Sequence, residues 1–262
     1  MAPSLDPIPL IVIVGETASG KTAAGVELAW RINGEIICAD SRTIYKGMDI
    51  GTATPTSDEQ GGVTHHLLSI IEPDKRYSAA EFQKDANRLI ADIWARGKFP
   101  IIVGGSGLYV DSILFNYSFA DGGEQSSENP RHKQSSSVDD RTMLRDNTLA
   151  VGLRLDREVL NSRIEQRVKQ MFQDGFLNEV WSVADKFGWE HESMSGIGYR
   201  VARAYIEGDA TEDEVKQAFI ARDKSLAKRQ RTWFKRNKHI QWFDEPGQLV
   251  EIAANFATSI KV

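Results

Sequence analysis

The chain has 262 residues, 41% hydrophobic and 26% charged, with a formal net charge of −5. That length can bury a sizeable core, and the balance is that of a globular protein whose bulk charge does not advertise a nucleic-acid binder. No apolar run approaches the ~18 residues of a membrane span, and a single cysteine, Cys38, excludes an internal disulfide and a Cys-based zinc site.

The chain opens without a basic region followed by an apolar stretch of signal-peptide type, so a cytoplasmic protein is expected. Pro9–Val14 reads as a buried strand. Gly15-Glu16-Thr17-Ala18-Ser19-Gly20-Lys21-Thr22 follows and fits G-x-x-x-x-G-K-[ST]. From Thr22 onward Ala23, Ala24, Val26, Leu28, Ala29 and Ile32 suggest a helix. Strand, glycine-rich turn and helix together make a phosphate cradle built from Gly15, Thr17, Ala18, Ser19, Gly20, Lys21 and Thr22. Backbone N–H groups and the helix N-terminus converge on the anion, Lys21 adds a point charge, and the Thr22 hydroxyl is placed for a magnesium ion (Mg2+). Kinases, ATPases and other transferases all use such a cradle.

Glu35–Ala39 is the second strand, with Cys38 as a buried thiol within it. Asp40 follows directly, in Asp40-Ser41-Arg42-Thr43-Ile44-Tyr45, and shares the crevice outside the carboxyl ends of the strands. A carboxylate there serves as a general base, as a magnesium ligand through water, or as a turn residue. His65-His66 has no third ligand at sensible spacing and reads as structural. Ser78-Ala79-Ala80-Glu81 matches a capping box that opens a helix to about Ala95, stopped by Gly97.

Pro100–Val103 is a third strand, followed by Gly104-Gly105-Ser106-Gly107-Leu108-Tyr109. Its glycines admit close backbone approach to a ligand, and Ser106 either hydrogen-bonds a substrate or shapes the turn. The acid that P-loop NTPases place after this strand to hold magnesium is missing, which argues against a routine ATPase. Residues 118–146 are Ser- and Gly-rich with few apolar side chains and read as a mobile, low-complexity insertion.

Leu149–Leu155 is a strand and Arg157–Phe172 a helix, with Ile164, Val168, Met171 and Phe172 at helical spacing. Thr211-Glu212-Asp213-Glu214 is a second capping box, opening a helix of more than 20 residues towards Trp233. Arg222, Lys228, Arg229 and Arg231 fall on it, with Trp233 and Phe234 near its end, a pattern that favours phosphate or nucleic-acid contact. Ile240–Phe243 is a last strand. The alternation predicts an α/β fold: a P-loop NTPase-like parallel sheet with flanking helices. Residues 1–117 and 147–262 form the core with a C-terminal helical segment, and 118–146 the short insertion.

Read as one ordered series, these motifs resemble the tRNA dimethylallyltransferases. The matching segments are residues 15–22, Ala39–Tyr45, Asp49–Pro55, His65–Leu68, Tyr77–Phe82 and Ile102–Tyr109, then Arg163–Val168, Gly196–Tyr199 and Ala227–Phe234. The resemblance implies transfer of a dimethylallyl group from dimethylallyl diphosphate to N6 of adenosine 37 in tRNA, with magnesium as cofactor and no membrane. A monomer that grips the anticodon stem-loop is expected. By that likeness the P-loop holds the donor's diphosphate rather than ATP. Asp40, Ser106 and Arg222 are the catalytic candidates, and Asp40, Ser41, Arg42, Thr43, Lys228, Arg229, Gln230 and Arg231 face the tRNA. Thr43 stands where the family usually has glutamine, and the family's larger helical insertion is replaced by the Ser-rich stretch. Three other readings stay open: a prenyltransferase acting on free AMP, ADP or ATP, a small P-loop kinase, and a non-catalytic RNA-binding module, against which the intact Lys21, Thr22 and Asp40 count.

Overall fold

The computed structural model describes residues 8–119 and 143–260. Most of the expected insertion, 120–142, lies outside the described residues. At the centre is a parallel sheet of β1 (Leu10–Gly15), β2 (Gly34–Ala39), β3 (His65–His66), β4 (Phe99–Gly104), β5 (Thr148–Leu153) and β6 (Gln241–Phe243). Their spatial order is β3-β2-β4-β1-β5-β6. The helices are α1 (Lys21–Ile32), α2 (Asp49–Thr52), α3 (Ser57–Gln60), α4 (Ala79–Ala95), α5 (Gly107–Leu114), α6 (Arg157–Gln173), α7 (Phe176–Phe187), α8 (Ile197–Ile206), α9 (Glu212–Phe234) and α10 (Pro246–Ile260).

The central strands are apolar on both faces because helices cover both. On β1, Leu10, Val12 and Val14 pack towards α4 and α5, and Ile11 and Ile13 towards α1 and α10. Register aligns Val12 with Ile102 of β4 on one side and Ala150 of β5 on the other. The expected strands appear within about two residues of their predicted bounds. The fifth stops at Leu153 because Asp156, whose carboxylate accepts from the Glu158 N–H at 2.7 Å, already caps α6.

Both capping boxes are formed. Ser78 accepts from the Glu81 N–H at 3.2 Å while Glu81 accepts from the Ser78 N–H at 2.6 Å. Thr211 and Glu214 exchange the same bonds at 3.3 and 2.8 Å, and α9 runs 23 residues from there. Gly97, at φ +73°, turns the chain after α4.

The pair His65-His66 is structural, as expected: it forms the edge strand β3, and His66 Nε2 lies 2.8 Å from the Glu35 carboxylate. Arg96 and Lys98 also reach Glu35, each at 2.7 Å. These partners, Arg96 above all, hold the buried Glu35 carboxyl well below the usual carboxylate range against the cost of burial.

A third apolar cluster joins α6 to α9 around Phe176, Tyr199 and Phe219, and it walls the crevice above the sheet. Residues 144 and 145, assigned to the insertion by composition, belong to the core. Leu144 packs against it, and the Arg145 N–H donates to the Leu114 carbonyl at 2.8 Å.

Candidate active site

β1 ends at Gly15 and α1 starts at Lys21, so residues 16–20 turn the chain at the carboxyl edge of the sheet. Ala18 (φ 62°) and Gly20 (φ 94°) adopt the left-handed conformation, which swings successive amides towards one concavity. The N–H groups of Ala18, Gly20, Lys21 and Thr22 have no hydrogen-bond partner among the described residues, as an anion cradle requires.

Two expected cradle residues behave differently. Thr17 spends its N–H on Gln230 Oε1 at 2.7 Å. Ser19 is fully buried, its Oγ lacks a hydrogen-bond partner among the described residues, and a Cβ on Gly15 would lie 2.6 Å from that oxygen. Gly15 is therefore glycine to make room for Ser19. Lys21 Nζ donates to the Glu16 carbonyl at 3.2 Å. Burial pushes its ammonium down to about 8; Asp40 and Glu16 oppose that shift and Arg167 adds to it. A bound phosphate would restore the full charge.

The cradle opens into a cleft of about 1430 Å³ lined by, among others, Lys21, Asp40, Ser106, Arg222, Lys228 and Arg229. β2 and β4 meet so closely that a Cβ on Gly104 would lie 2.1 Å from the Ala39 carbonyl oxygen. This contact sets Asp40 and Ser106 side by side. Asp40 Oδ1 accepts from the Arg42 N–H at 2.9 Å, an Asx turn that leaves Oδ2 without a partner among the described residues. Ser106 Oγ accepts from the Ser41 N–H at 2.9 Å, so it shapes the Asp40 turn while lining the cleft.

Arg42 lines the cleft but is engaged, donating to the Glu192 carbonyl at 3.0 Å and to Ser195 Oγ at 3.3 Å. Thr43, expected at the acceptor surface, is buried and does not line the cleft, and its hydroxyl has no hydrogen-bond partner among the described residues.

On α9 the basic cluster divides. Arg222, Lys228 and Arg229 are exposed in the cleft and form no ion pair among the described residues. Gln230 and Arg231, expected to face tRNA, turn inward because they sit on the helix face packed against the P-loop. Gln230 Nε2 donates to the Gly105 carbonyl at 3.0 Å while its Oε1 holds Thr17. Arg231 grips the buried Glu16 carboxylate through Nε and, at 2.9 Å, through Nη2, which also reaches the Leu155 carbonyl at 3.1 Å. Phe234 is core, and Trp233 donates to Asp111 at 2.9 Å while its ring covers Gly107.

Sequence reasoning gave no role to Arg163 and Arg167 of α6. Arg163 donates to the Ser19 carbonyl at 3.4 Å, and Arg167 lines the cleft. Two arginines four residues apart, in phase with the buried Leu160, Ile164 and Val168, were the available signal.

No group of three or more His, Cys, Asp or Glu side chains among the described residues forms a metal site. The Thr22 hydroxyl makes no hydrogen bond among them and offers one hard oxygen donor at the cradle, while Asp40 offers its carboxylate from the cleft wall. That sparse set suits a magnesium ion carried mainly by phosphate oxygens.

The IPP transferase family profile matches residues 43–141 and 121–237. A tRNA dimethylallyltransferase of Macrococcus caseolyticus is 35% identical, with 96% of this chain and 97% of the relative aligned. One from Bacillus pumilus is 37% identical over 90% of this chain and 89% of the relative. The full-length tRNA isopentenylpyrophosphate transferase of Bacillus halodurans superposes with a TM-score of 0.83 at 33% identity, covering 96% of each chain. Profile, relatives and fold agree with the ordered motifs around the cleft, and the chain belongs to the IPP transferase family.

Proposed function

We propose that this protein transfers the dimethylallyl group of dimethylallyl diphosphate to N6 of adenosine 37 in tRNA. The observation that carries the reading is the pairing, in one cleft, of an amide-rich anion cradle with Asp40 and the unpaired cations of α9. Membership of a family of tRNA dimethylallyltransferases supports it.

The donor's C1–O bond breaks and its electrons leave with the diphosphate. The N6 lone pair forms the new C–N bond, and the amine proton passes to Asp40, whose free Oδ2 is available to accept it. Negative charge grows on the leaving group, so Lys21 and the amides of Ala18, Gly20, Lys21 and Thr22 stabilise the transition state more than the ground state. The Thr22 hydroxyl would help hold a magnesium ion there, which would supply further neutralisation of that charge. Ser106 keeps the Asp40 turn in place through Ser41. Arg222, Lys228 and Arg229 meet phosphates of the acceptor, whose adenine must leave its stack to enter, at a cost of about a few kcal/mol. Likeness to the family is what supports reading the enzyme as a cytoplasmic monomer; no described helix is long and apolar enough to cross a membrane.

One observation favours a smaller acceptor as the second reading. The Macrococcus caseolyticus alignment spans 303 positions but holds 96% of 262 residues, about 252, so about 50 positions have no counterpart here. The test supplies labelled dimethylallyl diphosphate and magnesium to unmodified tRNA bearing A37, its anticodon stem-loop, AMP and ATP in parallel. Label on the tRNA is expected. Label on AMP or ATP alone moves the acceptor to free nucleotides, and label on none of them contradicts prenyl transfer.

A further inference from the structure

Helix α9 closes one end of the phosphate cradle. Two consecutive residues of its inward face reach the first two residues of the turn. Arg231 pairs with the Glu16 carboxylate, and Gln230 Oε1 accepts from the Thr17 N–H at 2.7 Å. Gln230 is held on its other side as well, since Nε2 donates to the Gly105 carbonyl at 3.0 Å. A backbone N–H meets only the amide oxygen and a carbonyl only the NH2 group, so these two partners fix which way the side chain faces. The amide packs directly on the β4–α5 turn, where a Cβ on Gly105 would stand 2.4 Å from Nε2.

The unpartnered amides of the cradle therefore begin at Ala18 and continue through Gly20, Lys21 and Thr22 into α1. In a loop of this kind the amides and the helix N-terminus cradle successive phosphates of one ligand, and each further phosphate needs further donors to offset its charge. At the Thr17 end the donor is already spent. A ligand reaching that far meets the Gln230 amide oxygen, an acceptor that repels phosphate oxygens. Gln230 lines the cleft together with Thr17 and Lys21, so it is open to such a ligand rather than shut away in the core. Had Gln230 served only to pack α9 on the sheet, an apolar side chain would do, and the Thr17 N–H would be open to the anion.

We propose that Gln230 is a specificity-determining residue: by taking the Thr17 N–H and occupying that end of the cradle, it limits the site to a two-phosphate group and excludes a triphosphate. The inference rests on the diphosphate-donor reading and deepens it. A cradle that kinases and ATPases also use is turned into a diphosphate site by a side chain about 210 residues away in the chain, not by the motif itself. Its consequence is that a nucleoside triphosphate competes poorly with the prenyl donor for residues 15–22. The exclusion is a matter of negative selection, an unfavourable contact met only by the longer ligand.

The experiment measures binding of inorganic pyrophosphate and of inorganic tripolyphosphate, each with magnesium, by calorimetry. It uses full-length wild type, Gln230→Ala, Gln230→Ser and Gln230→Glu, and follows consumption of dimethylallyl diphosphate with unmodified tRNA in parallel. Wild type is expected to prefer pyrophosphate by roughly tenfold or more. Gln230→Ala frees both the N–H and the space, and is expected to raise tripolyphosphate affinity relative to pyrophosphate by roughly tenfold. Gln230→Ser is expected to do the same, and it stands in if the alanine variant does not fold. Gln230→Glu keeps an acceptor for the Thr17 N–H and adds a negative charge there, so it is expected to keep or widen the wild-type preference. A gain of tripolyphosphate binding cannot come from a loosened fold, which would weaken both ligands alike. Equal affinities in wild type, a preference unchanged within about twofold in the alanine and serine variants, or equal losses of both ligands in them overturns the proposal. Wild type that neither binds pyrophosphate nor consumes the donor overturns the underlying reading instead.

Discussion

Lys228 and Arg229 face the cleft, and Gln230 and Arg231, their immediate neighbours, face the P-loop. Removing members of these pairs should therefore have opposite signatures. Arg231→Ala leaves the Glu16 carboxylate buried without its partner and is expected to cost about 3 kcal/mol of stability by denaturant unfolding. A loss below about 0.5 kcal/mol would show that the pair does not hold the loop. Lys228→Ala and Arg229→Ala should leave stability within about 0.5 kcal/mol while each lowers the salt slope of tRNA binding by about one. Unchanged slopes in both would remove this face from the acceptor site. Helical phase was legible, since Asp223, Ala227 and Phe234 mark the buried stripe. What the stripe packs on was not, because Glu16 lies 215 residues from Arg231 and no local pattern links them.

At the scale of elements, the chain announces those whose signals are local. The P-loop, both capping boxes and the apolar runs of β1, β2, β4 and β5 were readable because propensity, turn chemistry and pattern agree there. α2, α3 and β3 are too short for any periodicity to register; α3 did carry a local signal, the Thr56–Glu59 capping box, whereas α2 and β3 are held by long-range contacts. The Glu179 carboxylate, for instance, accepts from the Ile50 and Gly51 N–H groups at 2.7 and 2.8 Å and from the Tyr199 hydroxyl at 2.6 Å. α10 did carry a usable signal, proline at its first position, Pro246. Of the described glycines, Gly104 leaves the least room for a side chain, where β2 meets β4 behind Asp40. Gly104→Ala would drive a methyl group into the Ala39 carbonyl and force the strand ends apart. It is expected to destabilise by about 3 kcal/mol and to reduce transfer more than donor binding, since Asp40 and Ser106 move while the P-loop stays. Wild-type melting and turnover in that variant would refute the close approach.

For the molecule as a whole, acid stability should report the ion cluster at the far end of the sheet from the cleft. Glu35 is held below its ordinary value of 4.5 by Arg96, Lys98 and His66. A depressed folded value means that its stabilisation is complete above about pH 4.5 and disappears as pH falls through the folded value. The stability difference between wild type and Glu35→Gln should therefore be present at neutral pH and close in acid, as followed by urea unfolding. A difference that grows as pH falls would reverse the assignment.

The whole-molecule claim is that one cleft sets a diphosphate cradle against a proton acceptor. It is tested most directly by Asp40→Asn, measuring single-turnover transfer to tRNA alongside pyrophosphate binding. The account predicts a fall of roughly 10²- to 10⁴-fold in the transfer rate, with pyrophosphate affinity within about twofold of wild type. Transfer at the wild-type rate would contradict the role given to Asp40. Loss of pyrophosphate binding in proportion to the rate would show instead that Asp40 supports the cradle.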